Sequence, residues 1–279
     1  GARLRPDGAS IDPTTLETHL VTEDEHGFHE GASVRKRNGV YYLVFADISR
    51  GRPTALGYAT ADHPLGPFTK RGVIVDNAGC DPETWNNHGS IEEVGGRWYV
   101  FYHRSTHASR YSRRMCVEPI EFDADGTIDE VEMTTGGASG PVDPRTRLEA
   151  SRACLLRGSA RAVRIEGAEG EAGADVLSQI TDGDAACYRY FDFHGETRFE
   201  VEAASRAYGG LVEVVLDDPE AAPIGRCEIR ATGAWTAFER SACEIDPVTG
   251  RHAVWLRFAR GAHGGQGRLF DLRSLVFRA

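Results

Sequence analysis

An internal echo in the first half of the chain limits what that half can fold into. Ser33-Val34, Gly39, Tyr41-Tyr42 and Phe45 reappear as Ser90-Ile91, Gly96, Trp98-Tyr99 and Tyr102, each pair separated by the same 57 residues. In both copies a strand runs into a tight turn, Asn38-Gly39 or Gly95-Gly96. It leaves along an aromatic strand, Tyr41-Tyr42-Leu43-Val44-Phe45 or Trp98-Tyr99-Val100-Phe101-Tyr102. Asn-Gly and Gly-Gly tolerate the positive φ angles of two-residue hairpin turns, so each copy reads as a β-hairpin. A further strand follows (Ala55 to Thr60; Met115 to Phe122) and a fourth is expected after it. The unit is then a four-stranded sheet of about 50 residues, the size of a propeller blade. Blades bury their faces against one another, and closed rings have about four to eight, so two to three blades make only part of a propeller.

The remainder is also β. Helical periodicity is nearly absent, and alternating runs rich in Val, Phe, Tyr and Trp recur between turn residues. Gly136-Gly137-Ala138-Ser139-Gly140-Pro141 marks a boundary, which predicts one module over 1–140, a linker over 141–146 and a second module over 147–279. The second has the length of a β-sandwich of jelly-roll type. Its strands include Leu211–Leu216 and Ala253–Phe258, with turns expected at Asp246-Pro247 and Thr249-Gly250. A net charge of −10 with scattered Lys and Arg argues against nucleic acid as a partner. No apolar run approaches the roughly 20 residues of a membrane span, and Gly1–Asp7 lacks the pattern of a signal peptide. The six cysteines (Cys80, Cys116, Cys154, Cys187, Cys227, Cys243) contain no CxxC pair and read as buried free thiols.

Directly before the first hairpin stands Phe28-His29-Glu30-Gly31-Ala32-Ser33, where the entry strand of a blade faces the propeller axis. A carboxyl group there can serve as a general acid if its surroundings keep it protonated. Several strings, in order, resemble glycoside hydrolase family 43. They are Phe28-His29-Glu30-Gly31, Arg35-Lys36-Arg37-Asn38-Gly39-Val40-Tyr41-Tyr42-Leu43, Leu56-Gly57-Tyr58-Ala59-Thr60 and Pro64-Leu65-Gly66-Pro67-Phe68, followed by Asn87-His88-Gly89-Ser90-Ile91 and Trp98 through Arg104. The resemblance covers about residues 1 to 140 and implies the later blades of a five-bladed propeller. It implies that Glu30 is the general acid and that His88 is an axial histidine holding a water or a calcium ion. It also implies that Arg113, or its neighbour Arg114, contacts sugar hydroxyls. The general base and the aspartate that tunes the acid lie upstream of this segment in that family. Asp7, Asp12 and Asp47 are the nearest spare aspartates, and none sits in a matching motif.

The second module resembles carbohydrate-binding module family 6. The match runs through Leu148-Glu149-Ala150, Ile180, Gly183-Asp184, Asp192-Phe193, Gly209–Val214, Thr232-Gly233-Ala234-Trp235 and Gly250-Arg251-His252 to Phe277. It implies sugar stacking on Trp235, with Tyr188 or Tyr190 as part of the opposing wall, and a structural calcium ion near Glu149. Two departures stand out: Ala185 replaces an aromatic, and Asp271-Leu272-Arg273-Ser274 replaces an Asn-x-Asp-Trp ending. From these the Arg273 guanidinium is expected to take the ion's place beside Glu149. The combined expectation is the C-terminal part of an inverting glycosidase of arabinofuranosidase or β-xylosidase type, without an organic cofactor. It would act outside the cell on plant-type polysaccharide and be inactive alone for want of a second carboxylate. The alternative is a non-catalytic protein that binds carbohydrate through its sandwich.

Overall fold

A computed structural model describes residues 1–81, 87–166, 173–262 and 265–279. By its contacts the chain divides into two units, the first built chiefly from Gly1–Ala78 and Arg114–Glu132 with the hairpin between them. The second is built chiefly from Met133–Ala279 and takes in Ser105–Arg113.

In the first unit, β1 (Phe28–Arg37), β2 (Val40–Asp47), β3 (Ala55–Ala61) and β4 (Thr69–Val75) form one antiparallel sheet in chain order. A second sheet follows from β5 (Gly89–Val94), β6 (Arg97–Thr106) and β7 (Ser109–Ile120). Both predicted hairpin turns form, with φ of 49° and 89° at Asn38 and Gly39 and of 60° and 79° at Gly95 and Gly96. The two sheets meet along β1 and β5, where the Ser33 hydroxyl donates to the Gly89 carbonyl at 3.1 Å and Arg35 pairs with Glu92. Arg35 and Glu92 occupy equivalent positions of the echo, 57 residues apart. The repeat thus binds itself through matching places.

The expected fourth strand of the second blade is not formed among the described residues. The chain after β7 returns to the first blade, where Val131 bridges Val75 and the Tyr42 hydroxyl donates to the Gly126 carbonyl at 2.8 Å. The Tyr58 hydroxyl accepts from the Ile128 N–H at 2.8 Å. Buried backbone groups need partners, and the hydroxyls of two core tyrosines supply them here in place of a strand neighbour. The first sheet buries Leu43, Phe45, Ala59, Ala61 and Phe68 on one face, beneath Leu20, Val21 and Phe28. On the other face Tyr42 and Trp98 both meet the Phe122 ring edge-on at 5.4 Å.

The second unit contains β8 (Leu148–Glu149), β9 (Leu155–Arg157), β10 (Arg161–Ile165), β11 (Ala174–Ser178), β12 (Ala185–Ala204), β13 (Gly210–Leu216), β14 (Gly225–Ile229), β15 (Glu239–Ala259) and β16 (Asp271–Arg278). Strands β12 and β15 run for 20 and 21 residues, and their pairing slips register on both sides of Glu196. Before the slip β12 pairs with β9 and the end of β15; after it, with β16 and the start of β15. Both strands therefore pass from one layer to the other, which makes the unit a β-sandwich. The turns expected at Asp246-Pro247 and Thr249-Gly250 lie inside β15, because the register slip bends the strand without ending it. The layers close over one core, in which Phe277 meets Phe193, Phe199 and Phe191 at 5.0, 5.2 and 5.4 Å.

The predicted linker is bound into this unit. Val142 pairs with Phe191 and its N–H donates to the Tyr190 carbonyl at 2.7 Å, while Arg145 donates to buried Glu196 at 2.8 Å. The Gly-rich composition of 136–141 signals tight turns, not a free tether. The contact boundary falls at Glu132 and Met133, ahead of the 141–146 expected from composition.

Candidate functional site

Glu30 lies where the β1–β2 ladder is broken twice. Pairing runs Phe28 with Asp47, Glu30 with Ala46 and Ala32 with Phe45, so an irregularity flanks Glu30 on each side. Bulges of this kind turn one side chain away from the alternation of its strand. Gly31 follows with φ of 53°, and a Cβ on it would stand 3.0 to 3.2 Å from three atoms of the His88 ring. Glycine is thus required twice, for the left-handed backbone and for the imidazole that lies against it. His88 Nε2 then sits 3.3 Å from Glu30 Oε1, with both side chains open to solvent, 32% and 45% exposed.

The backbone of His88 is held from below. Its N–H donates to His103 Nδ1 at 3.4 Å, and the two rings meet edge-to-face at 5.6 Å. Accepting at Nδ1 leaves the His103 proton on Nε2 when that ring is neutral. Buried Asn87 donates its N–H to the Thr54 hydroxyl at 2.9 Å and its side-chain amide to Asn77 Oδ1 at 3.0 Å. Asn77 in turn donates to the His103 carbonyl at 3.1 Å. Gly89 completes the setting, since a Cβ there would stand 2.2 Å from the Phe101 carbonyl oxygen. Asn87 and His103 fall inside strings already singled out, whereas Thr54 and Asn77 carry no local signal. Their role exists only once the second blade lies on the first.

The carboxyl group of Glu30 and the imidazole of His88 are close enough to interact electrostatically, and the Glu30 side chain stays open to an approaching oxygen. The three spare aspartates are committed elsewhere. Asp7 accepts from the N–H groups of Ala9 and Ser10, and Asp12 caps the turn at Pro13–Thr15. Asp47 is fully buried and pairs with Lys70 at 2.8 Å.

A calcium ion takes six to eight oxygen ligands. His88 and Glu30 offer one imidazole nitrogen and one carboxylate, which do not make that oxygen-ligand set. Among the described residues no group of three or more His, Cys, Asp or Glu side chains is placed to hold a metal.

Other predicted site residues fare differently. Arg113 lies exposed on the hairpin that belongs to the second unit, its Nε donating to the Arg110 carbonyl at 3.4 Å. Arg114 is half-buried. In the sandwich, Trp235 is half-buried and the Arg268 guanidinium covers its ring at 4.0 Å. Arg268 also grips fully buried Asp271 with two hydrogen bonds, while burial holds the Asp271 carboxyl above its ordinary range. Tyr188 does not form a sugar-facing wall: it is fully buried and its hydroxyl donates to the Ala150 carbonyl at 2.7 Å. Alternation along β12 sends it into the core. Tyr190 is half-buried beneath the Arg251 guanidinium at 4.3 Å.

The expected pairing of Arg273 with Glu149 does not form. Arg273 is an extra residue in β16 opposite Glu202 and Ala203, and the bulge turns its guanidinium over the Phe238 ring at 4.0 Å. Glu149 is exposed and has no acidic neighbours arranged for calcium among the described residues.

Blade sheets with a polar centre on their inner strands, followed by a β-sandwich, define a modular all-β protein of the propeller-plus-sandwich class. Residues 1–128 match the family Glycosyl hydrolases family 43 and residues 157–279 match Carbohydrate binding module (family 6). The chain is 30% identical over 275 residues to a xylosidase/arabinosidase of Thermoclostridium stercorarium, covering 88% of this chain and 56% of that protein. It is 27% identical to an arabinoxylan arabinofuranohydrolase of Bacillus subtilis, covering 96% of this chain and 54% of that one. The crystal structure of a family 43 arabinoxylan arabinofuranohydrolase from Bacillus subtilis with cellotetraose matches with a TM-score of 0.54 at 25% identity. That match covers 99% of this chain and 58% of the other. The chain spans about half the length of these relatives.

Proposed function

We propose that this chain is the part of a glycosidase that supplies the general acid, Glu30, for cleaving arabinofuranosyl or β-xylosyl linkages of plant-type polysaccharide outside the cell. The observation that carries this reading is the Glu30–His88 pair at 3.3 Å, set by a doubly bulged strand and a glycine that makes room for the imidazole. The family 43 match over 1–128 and the names of the relatives support the reaction class. Glu30 would protonate the glycosidic oxygen as the bond to the sugar carbon breaks, with the His88 imidazole lying beside its carboxyl group. Inversion needs a second carboxylate roughly 6.5–9.5 Å away to activate water. We assign that group to blades beyond these residues, so turnover requires the longer protein.

The test is hydrolysis of 4-nitrophenyl α-L-arabinofuranoside, 4-nitrophenyl β-D-xyloside and an unactivated xylo-oligosaccharide, by this chain and by a form extended with the remaining blades. The extended form should turn over, and Glu30→Gln should lower its kcat/KM on the oligosaccharide by about 10²–10⁴. The loss should be smaller on the nitrophenyl substrates, whose leaving group needs less protonation. An extended enzyme indifferent to Glu30→Gln on the oligosaccharide would remove Glu30 from the acid role.

A further inference from the structure

Two of the six cysteines stand opposite one another on the edges of the two sandwich layers. Strands β14 and β15 pair at Gly225 and Ile245, and the Asp246 N–H donates to the Ile224 carbonyl at 2.9 Å. Continuing that antiparallel register by two residues sets Cys227 against Cys243. Both side chains belong to the same core, Cys227 fully buried and Cys243 at its partly exposed margin. The two thiols act on each other's acidity: Cys243 together with burial pushes Cys227 above the ordinary thiol range, and Cys227 holds Cys243 below it. Just beyond the pair the strands part around a cleft of about 340 Å³, lined by Glu228, Arg230, Glu239 and Ala242 among others. Glu228 and Ala242 are the chain neighbours of the two cysteines.

We propose that Cys227 and Cys243 form a disulfide that staples the two sandwich layers at the mouth of this cleft when the protein meets a small-molecule disulfide such as oxidised glutathione. The partly exposed Cys243 thiolate attacks one sulfur of the oxidant, expelling one glutathione thiolate and leaving a mixed disulfide. Cys227 then gives up its proton and attacks Cys243 Sγ, expelling the second glutathione. Two protein thiols are oxidised to one disulfide, and one oxidised glutathione is reduced to two thiols. The bond fixes the spacing of the strands that carry the cleft walls.

The other adjacent pair provides an internal contrast. Cys154 and Cys187 are both fully buried, in a cluster closed by Val215, Ala253 and Trp255, and the Cys154 thiol donates to the Cys187 carbonyl at 3.3 Å. An oxidant has no route to either sulfur in the folded protein.

The test incubates the full chain with a glutathione redox series near pH 8, alkylates remaining thiols with N-ethylmaleimide and maps tryptic peptides by mass. Arg226, Arg230 and Arg240 let trypsin separate the two cysteines, so a linked peptide is diagnostic. The expected result is a Cys227–Cys243 linked peptide, an intact mass lower by two hydrogens, and Cys154 and Cys187 alkylated only after denaturation. Dithiothreitol should reverse the mass change, and Cys243→Ser, at the partly exposed partner, should abolish it while leaving the core folded. Recovery of both cysteines as alkylated thiols, or of Cys243 as a lasting glutathione adduct, would overturn the proposal. Either result means that the two sulfurs cannot meet.

Discussion

Replacing Gly31 with alanine separates the role of the bulged strand from that of the carboxylate it carries. The backbone at Gly31 has φ of 53°, and an L-residue held there costs about 1–2 kcal/mol. The added Cβ would lie 3.0 Å from His88 Cδ2, 3.1 Å from Nε2 and 3.2 Å from Cγ, a few tenths of an ångström inside ordinary contact. His88 has room to yield, being 32% exposed, so relief comes mainly by the ring swinging away, at a further cost of about 0.5–1.5 kcal/mol. The total expected is about 1.5–3.5 kcal/mol, together with loss of the 3.3 Å approach to Glu30. Urea unfolding followed by tryptophan fluorescence would read the first effect. The ring resonances of His88 in heteronuclear NMR, compared with those of Glu30→Gln, would read the second. A variant that unfolds within about 0.5 kcal/mol of the parent, with the His88 resonances unmoved, would refute the argument that Gly31 exists to seat the imidazole.

Three further outcomes follow from buried polar groups. Asp47→Ala leaves Lys70 with only its Ser49 hydrogen bond, and should destabilise the first unit by about 1.5–3 kcal/mol. The Lys70→Met, Asp47→Ala double variant should cost less than the sum of its parts, and additivity in urea melts would deny the pairing. Tyr188→Phe leaves the Ala150 carbonyl without its donor and should cost about 1–3 kcal/mol in the same melts, without changing retardation on arabinoxylan in affinity gels. Glu196 provides the pH dependence. Burial raises its pKa, but the His194 N–H, its own N–H and Arg145 together hold it below the ordinary 4.5. A depressed carboxyl stabilises above its unfolded pKa and loses that contribution as pH falls through the folded value. The sandwich should therefore weaken below about pH 4.5, and Glu196→Gln should be less stable near neutrality yet lose less on acidification. Parallel pH curves for the two proteins would contradict this.

The same residues show where sequence reading stopped. Tyr188 and Tyr190 look alike in a strand of alternating residues, and only the slip between Tyr188 and Phe191 decides that the first enters the core and the second meets Arg251. Arg273 was matched to Glu149 by its place in a motif. One extra residue in β16 sends it to Phe238, since a one-residue shift in a strand changes the face presented. The bound course of 133–146 was hidden for a related reason. Turn-rich composition reports local backbone geometry and says nothing of what the backbone rests on.

What the sequence determined by itself is local or repetitive: the two hairpins with their Asn-Gly and Gly-Gly turns, the blade period of 57 residues, the β character of both halves and the candidacy of Glu30. These follow from φ preferences, from alternation and from a string around one carboxylate. The tertiary structure decided the rest. His88, His103, Asn77, Asn87 and Thr54 come together because two copies of one repeat pack along β1 and β5. Cys227 and Cys243 meet because β15 crosses between layers. These contacts span from 10 residues, Asn77 to Asn87, to 33, Thr54 to Asn87, and the free energy that places them is the burial of sheet faces shared across the core.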